Sequence, residues 1–285
     1  MKTRAFYWLL TFLVSLLAAE LAHGGQDGDI QGYYRRIDDS AIKKDVVGML
    51  SVLAELDTVE LWSFGAGIGP TDSASMQLTA LQAFYDSLCD DKGRSRLDNS
   101  ILVKIAPTTN VPGWVHWFQI DPKNQGELLR LLDNDKPAIR WLGLKKAASL
   151  AQLDNSLRDR LRVMAEGDRY VQICRRLVQT DKSRPPPPGM TVNEFVCPLR
   201  ELACELLNRH GDKLHVDDRT VAQSGVQRLV RIYDGDERKR RSVLDAVAVL
   251  RPNGAGVAAL RELESKDGGN STVKVLMRAI REPSQ

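Results

Sequence analysis

Apolar positions three and four residues apart recur along much of the chain. Ile42, Val46, Leu50 and Leu53, with Val47 and Leu56 beside them, predict a helix over residues 38–55. The Gly- and Asp-rich stretch before it, 26–34, reads as a mobile lead-in. A β-branched and aromatic run at 58–64 (TVELWSF) predicts a short strand, broken by Gly65, Gly67, Gly69 and Pro70. Thr71, Asp72 or Ser73 then caps a helix whose buried face holds Met76, Leu81, Phe84, Tyr85 and Leu88. The runs 101–106 (ILVKIA) and 114–120 (WVHWFQI) are strand-like and flank the turn residues 107–113 (PTTNVPG), which together predict a β-hairpin.

The pattern changes at Gly126, where short helical stretches begin to alternate with tight acidic or glycine turns. Leu128, Leu129, Leu131 and Leu132 precede an Asp-Asn-Asp turn. Pro137 then suits the first turn of a second helix, because its missing N–H has no partner to lose there. A similar string runs from Leu229 through Asp236 to Arg241, Val243, Leu244 and Val247. Weaker copies are Leu161, Met164, Asp168, Val171, Leu177 and Leu260, Leu263, Asp267, Val273, Met277, Ile280. The turn aspartates Asp135, Asp168, Asp236 and Asp267 recur at about 31–34 residues or twice that, as in repeat proteins.

This half, about 126–281, resembles HEAT repeats, antiparallel helix pairs in which an acidic turn precedes an apolar-basic pair opening the second helix. Ile139-Arg140 and Val273-Lys274 match that pair, Arg241 keeps its basic member, and Val171-Gln172 departs from it. The resemblance implies a mainly α protein: a short HEAT-like α-solenoid at 125–285, preceded by a small α+β or helical region at 25–124. The segment 181–189 (DKSRPPPPG) interrupts the array as an extended connector. A helix is expected to resume near Asn193, with Pro198 in its first turns and Phe195, Val196, Leu199, Leu202, Ala203 and Leu206 apolar.

The start of the chain follows different rules. Lys2 and Arg4 precede an apolar run at 5–19, too short for the ~20 residues of a membrane helix, and Ala22 and Gly24 offer a small-residue cleavage site. Residues 1–24 therefore read as a signal peptide, with a mature chain starting near Gly25 and exported to a periplasm or along the secretory route. No later segment is long and apolar enough to span a bilayer. With 40 basic and 37 acidic residues and a net charge of +3, the composition implies no nucleic-acid partner.

Candidate chemistry is sparse. Ser40 and Lys43 fit an SxxK pattern without its companion elements, a pattern that short chains produce by chance. The glycines 65, 67 and 69 lie before a helix start but lack GxGxxG spacing. Cys197, Cys204, His210 and His215 match no zinc spacing, so neither a metal nor a cofactor is expected. Trp114, His116, Trp117 and Phe118 form the densest aromatic cluster, suited to packing or to partner recognition. The run 238–241, with Arg238 and Arg240, is a candidate contact for an anionic partner. Cys174 and Cys197 lie level about the prolines and are candidates for a disulfide; the alternative is that all four cysteines are small core residues. Together these features predict an exported, non-catalytic scaffold that binds a protein partner on a helical-repeat surface. The rival is an enzyme or small-ligand binder with its site near the segments 65–73 (Gly65 to Ser73) and 114–118 (Trp114 to Phe118).

Overall fold

The computed structural model describes residues 27–59, 61–65, 69–108, 110–177, 191–251, 254–266 and 270–281. The stretch 1–24 expected to be a signal peptide and the whole proline segment 181–189 lie outside the described residues. The fold is mainly helical.

Helix α1 (Asp27–Lys43) already occupies the expected lead-in, because Ile30, Tyr33 and Ile37 make a buried stripe that composition alone conceals. Lys44 takes a left-handed turn (φ 52°), and Asp45 caps α2 (Val46–Leu56) by accepting from the Gly48 N–H at 3.0 Å. The single expected helix is thus two. Strands β1 (Trp62–Gly65) and β2 (Gly69–Asp72) form an antiparallel hairpin. Asp72 then closes a capping box with Ser75 at the start of α3 (Ser73–Leu88), where Met76, Leu81, Phe84 and Leu88 are buried as their spacing predicts.

The expected hairpin at 101–120 is corrected. Those runs form helices α4 (Asn99–Ile105), capped by Asp98, and α5 (Val111–Gln119), which follows a left-handed Asn110. Val111, Trp114, Val115 and Phe118 lie on one helical face and are all buried. Burying that face outweighs the β preference of the individual residues.

Helices α6 (Gln125–Leu132), α7 (Pro137–Ala147) and α8 (Asn155–Gly167) follow, with Pro137 in the first turn of α7. Two strands then stand where the sequence pattern suggested helix. β3 (Gln172–Leu177) and β4 (Thr191–Val196) pair antiparallel, with Gln172 opposite Val196. The β4 edge is covered by the end of a later helix: Asn193 donates its N–H to the Val249 carbonyl at 2.7 Å and accepts from the Arg251 N–H at 3.2 Å. Its side-chain amide donates to the Ala246 carbonyl at 3.0 Å.

The helix after the prolines therefore starts later than expected. It is α9 (Pro198–Arg209), followed by α10 (Asp218–Gly235), a single 3₁₀ turn (Glu237–Lys239), α11 (Arg240–Ala248), α12 (Ala255–Lys266) and α13 (Ser271–Arg281).

From α6 onward, successive helices pack in pairs: α6 on α7, α8 on α9, α10 on α11, α12 on α13. Pairs also stack, α6 on α8, α7 on α9, α10 on α12 and α11 on α13. Between the second and third pairs the β3–β4 hairpin is interposed, with β4 against α10. One core runs from Ile30 to Leu207 and a second joins Ile173 to α10–α13. Asp72 and Arg228 link the two halves through a part-buried ion pair, and Arg228 also lies over the Tyr170 ring at 5.6 Å.

Candidate functional site: an arginine-lined groove

Helix α8 ends at Gly167, and Asp168 becomes a polar hub. Its carboxylate accepts a fork from Arg140, Nε to Oδ2 at 2.8 Å and Nη2 to Oδ1 at 3.0 Å, and Oδ1 also accepts the Tyr170 N–H at 2.9 Å. The Asp168 backbone carbonyl accepts from Arg200 Nε at 2.8 Å. Arg200 sits in the first turn of α9, only 5% exposed, and donates Nη1 to Thr220 Oγ1 at 3.1 Å. Asp168 is thus already neutralised by Arg140, while Arg200 is held by neutral oxygens.

A groove of about 630 Å3 opens beside this hub, between the α8–α9 junction and α10. Gly167, Arg169 and Arg200 form one wall, while Ser224, Gln227, Val230 and Arg231 of α10 form the other. Leu263 of α12 and Asn270, whose Oδ1 accepts the Thr272 N–H at 3.0 Å, complete the lining. Among the described residues the lining holds three guanidiniums and no carboxylate. Arg169 and Arg231 are exposed, and among the described residues Arg231 donates only to the Gln227 carbonyl, at 3.3 Å. A smaller cleft of about 180 Å3 continues along α10 and α12 and shares Gln227 and Leu263. There Glu262 is saturated by Lys266, Arg219 and Gln223, at 2.6, 3.1 and 3.2 Å, and these hydrogen bonds hold its carboxyl down at about 2.

The residues singled out from sequence lie elsewhere. Trp114 is 1% exposed, and its indole N–H donates to Asp57 Oδ2 at 2.9 Å. Asp57 also accepts from Gln77 at 2.8 Å and pairs with Lys136 at 2.7 Å, which ties α2, α3, α5 and α7 together. Trp114 is therefore a packed tie and not a recognition surface, and Phe118 is equally buried. The packed side chains at 114 and 118 provide no open wall for the rival site. The exposed His116 lies beside the half-buried Trp117, with ring centroids 5.0 Å apart and the planes tilted by 56°.

Arg238 is exposed and paired with Asp236 at 3.4 Å, whereas Arg240 folds back over the Tyr233 ring at 5.4 Å and donates to the Tyr233 carbonyl. Neighbouring acids thus offset part of the basic run. The Cys174–Cys197 disulfide is not formed, and all four cysteines are thiols. The segments flanking the prolines do run antiparallel, but as strands and not as the expected helices, and their register sets Cys174 opposite Glu194 and leaves Cys197 beyond the last paired rung. Cys197 is instead buried against the Tyr170 carbonyl at 2.8 Å, and desolvation pushes its thiol up to about 12. Ser40 is buried while Lys43 turns to Asp39 at 3.4 Å, so the SxxK pair makes no joint site. Among the described residues no group of His, Cys, Asp and Glu is placed to hold a metal.

Lys146 was not singled out. It is fully buried, and its ammonium donates to the carbonyls of Gly93, Phe118 and Ile120 at 3.1, 3.0 and 2.9 Å. Burial lowers its pKa. The one sequence signal was its place on the apolar side of α7, one turn after Leu142. The groove arginines carried no motif at all, since Arg169, Arg200 and Arg231 belong to three separate segments.

No family model matches the chain, and no curated protein or solved structure matches it either.

Proposed function

We propose that this protein is an exported, non-catalytic scaffold that binds another protein on the surface of HEAT-like helix pairs, at the groove between the α8–α9 junction and α10. The observation that carries this is a groove built by separate pairs, because its walls come from α8–α9, α10 and α12. Pair-to-pair ties support it. Arg140 donates to the carbonyls of Asn134 and Asp135 in its own turn, at 2.7 and 2.9 Å, and forks the Asp168 carboxylate at the end of the next helix. Export rests on the basic, apolar and small-residue order of residues 1–24.

The test is site-specific photo-crosslinking in the native compartment. A photoreactive side chain at Gln227, inside the groove, is expected to capture a protein partner, and one at the exposed Val103 of α4 is not. Adducts only from Val103, or from neither position, would reject this surface. N-terminal sequencing of the same material is expected to begin near Gly25, and a soluble exported form retaining Met1 would refute cleavage.

A further inference from the structure

Resting on the scaffold proposal, we infer that the groove takes an acidic peptide segment of the partner, whose carboxylates are held by Arg169, Arg200 and Arg231. Charge is the first reason. Arg200 is nine-tenths buried, yet among the described residues both of its hydrogen-bond partners, the Asp168 carbonyl and Thr220 Oγ1, are uncharged. A buried cation without a counter-ion is costly, and protein interiors normally pair it. The carboxylate of Asp168, whose backbone Arg200 contacts, is already forked by Arg140. Arg169 and Arg231 add two further guanidiniums at the rim, again with no carboxylate in the lining among the described residues.

Preorganisation is the second reason. A guanidinium carries five N–H donors in a fixed plane, and Arg200 spends two of them on protein oxygens. Those two bonds fix the plane of the group, so the remaining donors are presented without further loss of side-chain freedom. Forked donation of this kind matches a carboxylate better than a lysine ammonium would.

Shape and lining decide the ligand class. A groove of about 630 Å3 is far larger than one inorganic anion needs. Val230 and Leu263 offer apolar contact between the charged positions, and Gln227, Asn270 and Ser224 supply donors and acceptors for a peptide backbone. Among the described residues no aromatic side chain lines the groove on which a nucleic-acid base would stack.

The test uses the mature full chain and fluorescence anisotropy with a labelled peptide of alternating glutamate and glycine. Its control replaces every glutamate by glutamine. The acidic peptide is expected to bind, the glutamine control to bind at least about tenfold more weakly, and added salt to weaken the acidic peptide. Arg169→Ala/Arg231→Ala, at two exposed positions, is expected to weaken binding about tenfold with an unchanged melting temperature. Arg200→Lys keeps the charge but loses the fork, and is expected to weaken binding as well.

Equal binding of both peptides, no binding of the acidic one, or full affinity in the Arg169→Ala/Arg231→Ala variant would overturn the inference. Displacement of the peptide by inorganic phosphate at equal concentration would also overturn it, in favour of a simple anion pocket. If these assays fail while Gln227 still captures a partner, the scaffold proposal stands without the acidic ligand. If Gln227 captures nothing, the scaffold proposal itself falls.

Discussion

Gly225, in the middle of α10, sets how closely that helix approaches β4. A Cβ built there would lie 2.2, 2.5 and 2.6 Å from three ring carbons of Phe195, well inside van der Waals contact. The ring cannot easily retreat, because a Cβ at Gly256 of α12 would meet its opposite edge at 2.9 Å. The backbone of β4 is also clamped to the end of α11 through Asn193. Two effects compete in Gly225→Ala. Removing a mid-helix glycine stabilises by about 1 kcal/mol through backbone entropy. Overpacking costs about 1–3 kcal/mol or more when neighbours are fixed. Contact with three ring carbons places this site at or above the upper end of that range, so a net loss of about 2 kcal/mol is expected. Urea denaturation, comparing midpoints at constant m-value, measures it. In a Phe195→Leu background the same substitution is expected to cost much less, because the opposing ring is gone. A Gly225→Ala protein as stable as wild type, or an equal cost in both backgrounds, would refute the reasoning.

Ile139→Ala, at a side chain only 3% exposed in α7, is expected to cost about 2–5 kcal/mol in the same denaturation assay. Glu262 titrates at about 2 against an ordinary value of 4.5, so its contribution to stability is complete above 4.5 and is lost as pH falls from there through about 2. Carboxyl NMR titration in wild type and Arg219→Ala checks this, with the variant's Glu262 expected to titrate higher. Peptide mapping under non-reducing conditions is expected to find no Cys174–Cys197 disulfide, and Cys197 is expected to resist alkylation at neutral pH because burial keeps its thiol protonated.

Helix pairs were legible wherever the signal was local. Leu128, Leu131 and Leu132 lie one turn apart, the turn around Asp135 interrupts them, and Pro137 opens the next helix with its donor already surplus. The string at 229–247 was legible for the same reason, as was the face of α3 from Met76 to Leu88. Local signal misled where propensity and periodicity disagreed. The 101–106 and 114–120 runs are β-branched and aromatic, but the Asp98 cap and the shared face of Val111, Trp114, Val115 and Phe118 favour helix once that face has a core to enter. Strands β3 and β4 need each other across a long connection, and β4 further needs the end of α11, so no window of neighbouring residues contains their partners. The same holds for Lys146, whose three carbonyls come from the turn at Gly93 and the end of α5, and for the groove. Spacing along one helix determines which face is apolar, and that much the sequence carries by itself. Whether Arg200 is buried without a carboxylate, and which arginines share its groove, is decided by long-range packing, because charge compensation depends on distances in space between segments far apart in the chain.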